Sequence, residues 1–171
     1  MNTLLTAQQR TAAFRQMLYA NFPTTHVGTL NVQPQNRNEH DIRQVFQHFQ
    51  RKFNQNLWGG NGYKSGKRIG LIAFVHNRAH IDDAHIHMGM WEMPGRLDEQ
   101  QLQQKFYNAA EHTHGVLYLE TRAPRRGNRA VHFERQRTDG WLNYCSRLLA
   151  DSSDANCLIE LVQLPVTPHQ P

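Results

Sequence analysis

The chain has 171 residues, a mass of 19.9 kDa and a formal net charge of +5, and 15 of its 19 lysine and arginine residues are arginine. The longest apolar run, 71–75, is too short to cross a bilayer, and two cysteines are too few for a disulfide-rich secreted domain. Residues 1–10 lack the pattern of a secretory signal, so we expect a cytoplasmic protein that does not enter a membrane. The excess of arginine is typical of a protein that binds nucleic acid.

The length predicts one domain, 1–171, with a core over about residues 24–165 and a short tail at 166–171. The spacing of apolar residues predicts helices alternating with strands. In chain order these are a helix 6–19, a strand 26–32, a helix 39–54, a glycine-rich loop 58–68, a strand 69–76, a strand 84–91, a helix 98–111, strands 115–122 and 130–137, a helix 141–150 and a strand 157–164. Strand, helix, hairpin, helix and strand is the order of a ferredoxin-like α+β fold, in which helices pack on an antiparallel sheet.

The clearest chemical signal is the pair His85 and His87, which flank Ile86 in the strand 84–91. Residues i and i+2 of a strand point to the same face, so the two imidazoles project side by side and could share a metal ion. His76 ends the preceding strand and is the predicted third ligand, with His80 or a neighbouring acidic residue as alternatives. The competing interpretation is an incidental exposed strand face in a chain with 11 histidines. A histidine-triad hydrolase would need a third alternating histidine at position 89. This chain has Gly89 there, which argues against that class of enzyme.

A second signal lies in the predicted helix 141–150. Tyr144 falls at the edge of the apolar stripe of this helix, and Arg147 lies beside it three residues later. A cation in that position favours a phenolate or a nearby phosphate. The alternative is an ordinary tyrosine at the rim of the core.

Together these residues resemble the HUH endonucleases, and specifically their single-tyrosine initiators of rolling-circle replication. Three motifs occur in the order of that family: the strand 26–32, the strand segment His85-Ile86-His87, and Tyr144 with a cation three residues later. The resemblance covers residues 26–150, most of the chain. The chain has Arg147 where the family has lysine, and an arginine side chain keeps phosphate binding but not proton transfer near neutral pH.

The resemblance implies the HUH nuclease fold and a single-stranded DNA endonuclease that depends on Mg²⁺ or Mn²⁺. The metal would be bound by His85, His87 and His76, and Tyr144 would attack the DNA to form a 5′-phosphotyrosyl link. The implied partners are single-stranded DNA, as at an origin hairpin, and a separate helicase, because the chain has no room for a helicase domain.

Two basic segments are predicted to bind single-stranded DNA, since both place cations where a phosphate backbone could lie. The first combines cations with aromatic rings and comprises Trp58, Tyr63, Lys64, Lys67 and Arg68. The second is a predicted hairpin turn with Arg122, Arg125, Arg126 and Arg129. For each, a solvated loop is the alternative. For the whole chain, the alternatives are a transposase of the same chemistry and a non-catalytic protein that binds single-stranded nucleic acid.

Overall fold

The computed structural model describes residues 6–33, 39–76, 85–117, 131–137, 140–141 and 159–163. Three helices are present in these ranges: α1 (Ala7–Asn21), α2 (Glu39–Lys64) and α3 (Glu99–Glu111). Five strands are present: β1 (His26–Asn31), β2 (Gly70–His76), β3 (His85–Trp91), β4 (Val131–Arg135) and β5 (Ile159–Gln163). None of the helices in the described ranges combines the length and apolar composition needed to cross a lipid bilayer.

The five strands form one antiparallel sheet in the order β4-β1-β3-β2-β5. The predicted α+β class is therefore confirmed, and the order of β1 to β4 is compatible with a ferredoxin-like fold. The predicted hairpin is confirmed as β2 and β3, with Gly70 opposite Trp91 and His76 opposite His85. The strand β5 adds a fifth member beside β2.

One face of the sheet carries the main core, because α2 and α3 pack against it. Ile86, Met88 and Met90 of β3 are all buried on this side. An aromatic cluster joins the helices to the sheet: the rings of Phe49 and Phe106 lie 5.0 Å apart, and those of Phe106 and Phe133 lie 4.9 Å apart. Edge-to-face and tilted ring pairs of this kind stabilise a core beyond the area that they bury.

The opposite face is covered over β2, where Leu18 of α1 packs with Ile72, Phe74 and Trp91. On the same face, the interior strands β1 and β3 carry polar side chains. Thr29 and Asn31 alternate on β1, and His85 and His87 alternate on β3. The sheet therefore has an apolar face toward α2 and α3 and a mixed face that bears the two histidines.

Local sequence signals explain where the helices begin. Thr6 and Gln9 form a capping box at α1, and Asp98 and Gln101 form the predicted one at α3. In the second box the Gln101 backbone N–H donates to the Asp98 carboxylate at 2.8 Å, and the Asp98 N–H donates to the Gln101 side chain at 3.0 Å.

The predicted loop beginning at Trp58 is wrong as far as Lys64, because α2 continues to that residue. Phe53 and Leu57 extend the apolar stripe by one more helical turn and are both buried, which outweighs the cost of the glycines that follow. Gly59 has a φ of 70° and a ψ of 169°, so the helix breaks there and resumes in a new direction. A φ in that region is readily adopted by glycine.

Several predicted elements lie partly outside the described residues. Of the predicted strand 115–122, the structure describes only 115–117, where Val116 makes an isolated bridge to Val32. Of the predicted helix 141–150, the described part is Trp141, which is helical together with Gly140. The last predicted strand is confirmed over Ile159–Gln163.

His26 is a buried titratable group on the helix-covered side of the sheet. Its ring stacks on Phe133 with centroids 5.5 Å apart, and its Nε2 lies 3.3 Å from the Glu99 carboxylate. Burial lowers the pKa of His26 from its ordinary value of 6.5, while the charge of Glu99 acts in the opposite direction. The folded protein therefore favours neutral His26.

We expect the free energy of unfolding to decrease as the pH falls below about 6.5, because the unfolded chain takes up a proton at His26 before the folded chain does. The loss continues until the pH has passed the lowered pKa of the folded state. Burial also lowers the pKa of His48, which acts in the same direction. Urea unfolding of His26→Gln should show a weaker decrease than the unmodified protein, and Glu99→Gln should show a stronger one. Equal pH dependence in all three proteins would contradict this account.

Candidate metal and nucleic-acid site

The histidine pair occupies one face of β3, as the alternation predicts. His85 and His87 are both half-buried, while Ile86 between them is buried in the core on the opposite face. The two imidazole rings lie edge to face, with centroids 4.6 Å apart and an interplanar angle of 89°. Two nitrogen ligands at this separation could contribute to the coordination of one divalent cation.

Thr29 on the neighbouring strand holds the ring of His87. The two residues are directly opposite each other in the β1–β3 register, and Thr29 Oγ1 lies 2.9 Å from His87 Nδ1. The hydroxyl contacts Nδ1 of the ring, and Nε2 of the same ring is buried. Outer partners of this kind fix the orientation and tautomer of a metal-binding histidine.

The strand register brings further polar residues to the same face. Asn31 and His76 lie opposite His85 from its two sides, on β1 and β2. Residues directly opposite in an antiparallel pair share a face, so the backbone places His76 where the predicted third ligand should be. Only the backbone of His76 is described, and its role as a ligand stays a prediction. Across the described ranges, no group of three or more His, Cys, Asp and Glu side chains could hold a metal ion.

The beginning of the predicted tyrosine helix packs beside the histidines. A Cβ atom at Gly89, two residues from His87 on the same face, would lie 2.7 Å from Cη2 of Trp141 and 2.8 Å from Thr24 Oγ1. The Trp141 ring also contacts Phe74, with centroids 5.6 Å apart. Because Gly89 has no side chain, Trp141 can lie directly on β3.

Other predicted site residues fall outside the described ranges. These are the proposed nucleophile and its cation, and the whole second basic segment: Tyr144, Arg147, Arg122, Arg125, Arg126 and Arg129. Their roles stay predictions.

The first basic segment lies far from the histidine pair. It precedes Gly70, which begins β2, whereas His76 ends that strand. The six residue steps between Gly70 and His76 span about 20 Å. Trp58 also packs against the core on the side of α2 and α3. Within the segment, the Arg68 guanidinium lies 3.7 Å from the centre of the Tyr63 ring, and the Lys67 ammonium lies 5.9 Å from that of Trp58. The structure thus pairs Arg68 and Lys67 with aromatic rings but does not bring them to the face that bears His85 and His87.

Sequence reasoning did not assign a role to Thr29, Asn31 or Trp141. Thr29 and Asn31 lie in β1, the strand of the first motif that resembles the HUH family. Their spacing of two residues indicates that they share one face of the strand. Which histidine each one would meet depends on the register between β1 and β3, whose facing residues here are 54 and 58 positions apart in the chain, and no local pattern specifies it.

No known protein family matches the chain, and neither does any curated protein or solved structure.

The Thr29 hydroxyl should matter for metal binding. We expect Thr29→Val to weaken the binding of Mn²⁺ by about 10- to 100-fold, because the His87 ring loses the partner that orients it. Thr29→Ser keeps a hydroxyl and should retain most of the affinity. Isothermal titration calorimetry of both variants checks this, and equal affinity in the valine and serine variants would contradict it.

The contact between Gly89 and Trp141 gives a second test. Gly89→Ala should destabilise the protein by about 1–3 kcal/mol, because the added methyl group overlaps the indole ring. Replacing Trp141 by Phe in the same protein should restore part of the loss, since phenylalanine lacks the outer indole atoms, while the overlap with Thr24 remains. Thermal unfolding of the single and double variants measures both effects. If Gly89→Ala costs as much stability in the Trp141→Phe protein as in the unmodified protein, the assigned contact is wrong.

Proposed function

We propose that this protein is a metal-dependent endonuclease that nicks and rejoins single-stranded DNA through a 5′-phosphotyrosyl intermediate, as in the initiation of rolling-circle replication. The observation that carries the proposal is the pair His85 and His87 on one face of β3, with Thr29 holding His87. Trp141, where the predicted tyrosine helix begins, lies over Gly89, two residues along the same face. The described start of that predicted helix and the histidine pair are therefore on one face of the sheet, which supports the proposal.

In this proposal His85 and His87 bind a divalent cation through their imidazoles, and His76 on β2 is the third ligand. The predicted ion is Mg²⁺ or Mn²⁺, although imidazole ligands also suit softer divalent metals. The cation would supply positive charge that offsets the negative charge developing on the scissile phosphate. Thr29 orients His87, and the indole of Trp141 covers the strand beside it, which limits the access of water.

Tyr144 is the proposed nucleophile. It follows Trp141 by three residues, and a chain of that length reaches at most about 11 Å. Its phenolic oxygen would attack the phosphorus atom, the bond from phosphorus to the 3′ oxygen would break, and the DNA would keep a free 3′-hydroxyl. The phosphodiester energy is kept in the tyrosyl link, so the hydroxyl can later reverse the step and rejoin the strand. Arg147 would bind a phosphate oxygen.

Adduct formation tests the nucleophile. The protein is incubated with a 5′-labelled and a 3′-labelled single-stranded oligonucleotide and Mn²⁺, and adducts are resolved on a denaturing gel. Tyr144→Phe should reduce the adduct at least about a thousandfold, because no phenolic oxygen remains to attack. Tyr107→Phe, on α3, is the matched control and should react normally. An adduct of normal yield in Tyr144→Phe would show that another residue is the nucleophile.

The same assay tests the metal-binding residues. A chelator, His85→Ala and His87→Ala should each abolish adduct formation, whereas His112→Ala, an exposed histidine at the end of α3, should not. Adduct formation that survives both a chelator and loss of the histidines would contradict a metal-dependent mechanism. A protein that binds DNA but forms no adduct under any of these conditions is the non-catalytic alternative.

A further inference from the structure

A polar cleft of about 510 Å³ lies on the side of the molecule opposite to the histidine pair, between α2 and the segment that leads into β2. One wall is the outer surface of α2, where Gln47, Gln50 and Arg51 recur at three- and four-residue steps. Tyr63, on the part of α2 that follows the break at Gly59, and Arg68 form the other wall. This volume is within the range of small-ligand sites.

The charge of the cleft is suited to an anion. Arg51 and Arg68 line it together with His48, and no acidic side chain is among its described lining residues. The pKa of His48 is lowered, first by burial and then by the positive charges of Arg51, Lys52 and His114. Uncompensated positive charge of this kind is reduced when a phosphate group binds.

Arg68 is held in place before any ligand arrives. Its Nη1 donates to the backbone carbonyls of Tyr63 and Lys67 at 2.8 and 2.7 Å, and its Cζ lies 3.7 Å from the centre of the Tyr63 ring. Both hydrogen bonds use Nη1, so Nη2 and Nε can serve a ligand. A planar donor fork that is already ordered loses little entropy on binding phosphate oxygens.

The glutamines add a second kind of recognition. Gln44 and Gln47 lie along one wall, and Gln44 Nε2 lies 2.7 Å from His40 Nε2. The exposed carboxamide of Gln47 combines a donor with an acceptor. That combination matches the edge of a nucleobase, whereas a bare inorganic anion needs donors only. Cations beside hydrogen-bonding amides therefore favour a nucleotide over a simple anion.

We propose that this cleft binds a nucleotide of single-stranded DNA, with the phosphate between Arg51 and Arg68 and the base along the glutamines. The inference rests on the proposed function for the identity of the nucleic acid, and it adds a contact separate from the nicking centre. Arg68 precedes the end of β2 that lies about 20 Å from His76, and α2 packs on the face of the sheet opposite to the histidines, so DNA held here would be anchored away from them. The cleft would hold the strand while chemistry takes place elsewhere.

The test measures binding in the absence of chemistry. A fluorescent single-stranded oligonucleotide is titrated with full-length protein in a chelator, and the anisotropy is followed at several salt concentrations. Arg51→Gln should weaken binding about tenfold and reduce the salt slope by about 0.7, because one charged contact to phosphate is lost. Lys52→Gln is the matched control: it makes the same charge change at the next residue of α2, outside the cleft lining, and should have a much smaller effect.

Gln47→Ala should weaken binding of the oligonucleotide without changing the salt slope, since an amide carries no charge. Equal binding by Arg51→Gln and Lys52→Gln would overturn the cleft as a DNA site, even if the protein forms adducts normally. Arg51-dependent binding in a protein that forms no tyrosyl adduct would instead overturn the nicking function and leave the cleft assignment standing. Tight binding of free deoxyadenosine monophosphate, with no gain for the oligonucleotide, would overturn the assignment to a DNA strand.

Discussion

The pairing of β1 with β3 is the constraint on which the rest of the structure depends. Its register places Leu30 opposite Ile86 toward α2 and α3, and Thr29 opposite His87 on the other face. A slip of one residue would turn the histidines into the aromatic core and expose the methionines of β3. Such a slip would lose most of the buried apolar contacts of the sheet. The apolar core therefore determines the register, and the register determines where the histidine pair lies.

One face of the sheet is apolar and the other is partly polar because of where the helices pack. Because α2 and α3 both cover the same face, the strands β1 and β3 keep polar side chains on the other one, where α1 covers mainly β2. Half-buried imidazoles next to a packed indole lie in a less polar environment than water, which strengthens charge interactions with a phosphate group. The packing of α2 also explains the polar cleft. Because only the apolar stripe of α2 faces the sheet, the polar residues of its outer surface are left to line the cleft.

Features encoded by neighbouring residues could be predicted from the sequence, and features that depend on distant pairing could not. The capping box of Asp98 and Gln101 and the alternation of His85 with His87 are local, and the structure has both. The end of α2 lies beyond the predicted one because the burial of Leu57 outweighs the helix-breaking tendency of the glycines that follow it. The contact of Thr29 with His87 joins residues 58 positions apart, and the packing of Trp141 on Gly89 depends on a missing side chain, so neither left a pattern along the chain.

The position of Thr29 and His87 has a consequence for dynamics. Both lie on strands that have a hydrogen-bonded strand on each side, whereas β4 and β5 are the outer strands of the sheet over the residues that the structure describes. Local opening is easier where backbone hydrogen bonds are exposed to solvent. The metal-binding half of the proposed site would therefore be among the slowest parts of the protein to exchange its amide hydrogens. Trp141 contacts the sheet through an indole ring lying over Gly89, and this contact can be lost without breaking a strand. In the proposed nicking enzyme, the nucleophile that follows Trp141 could then move while the proposed metal ligands stay in place.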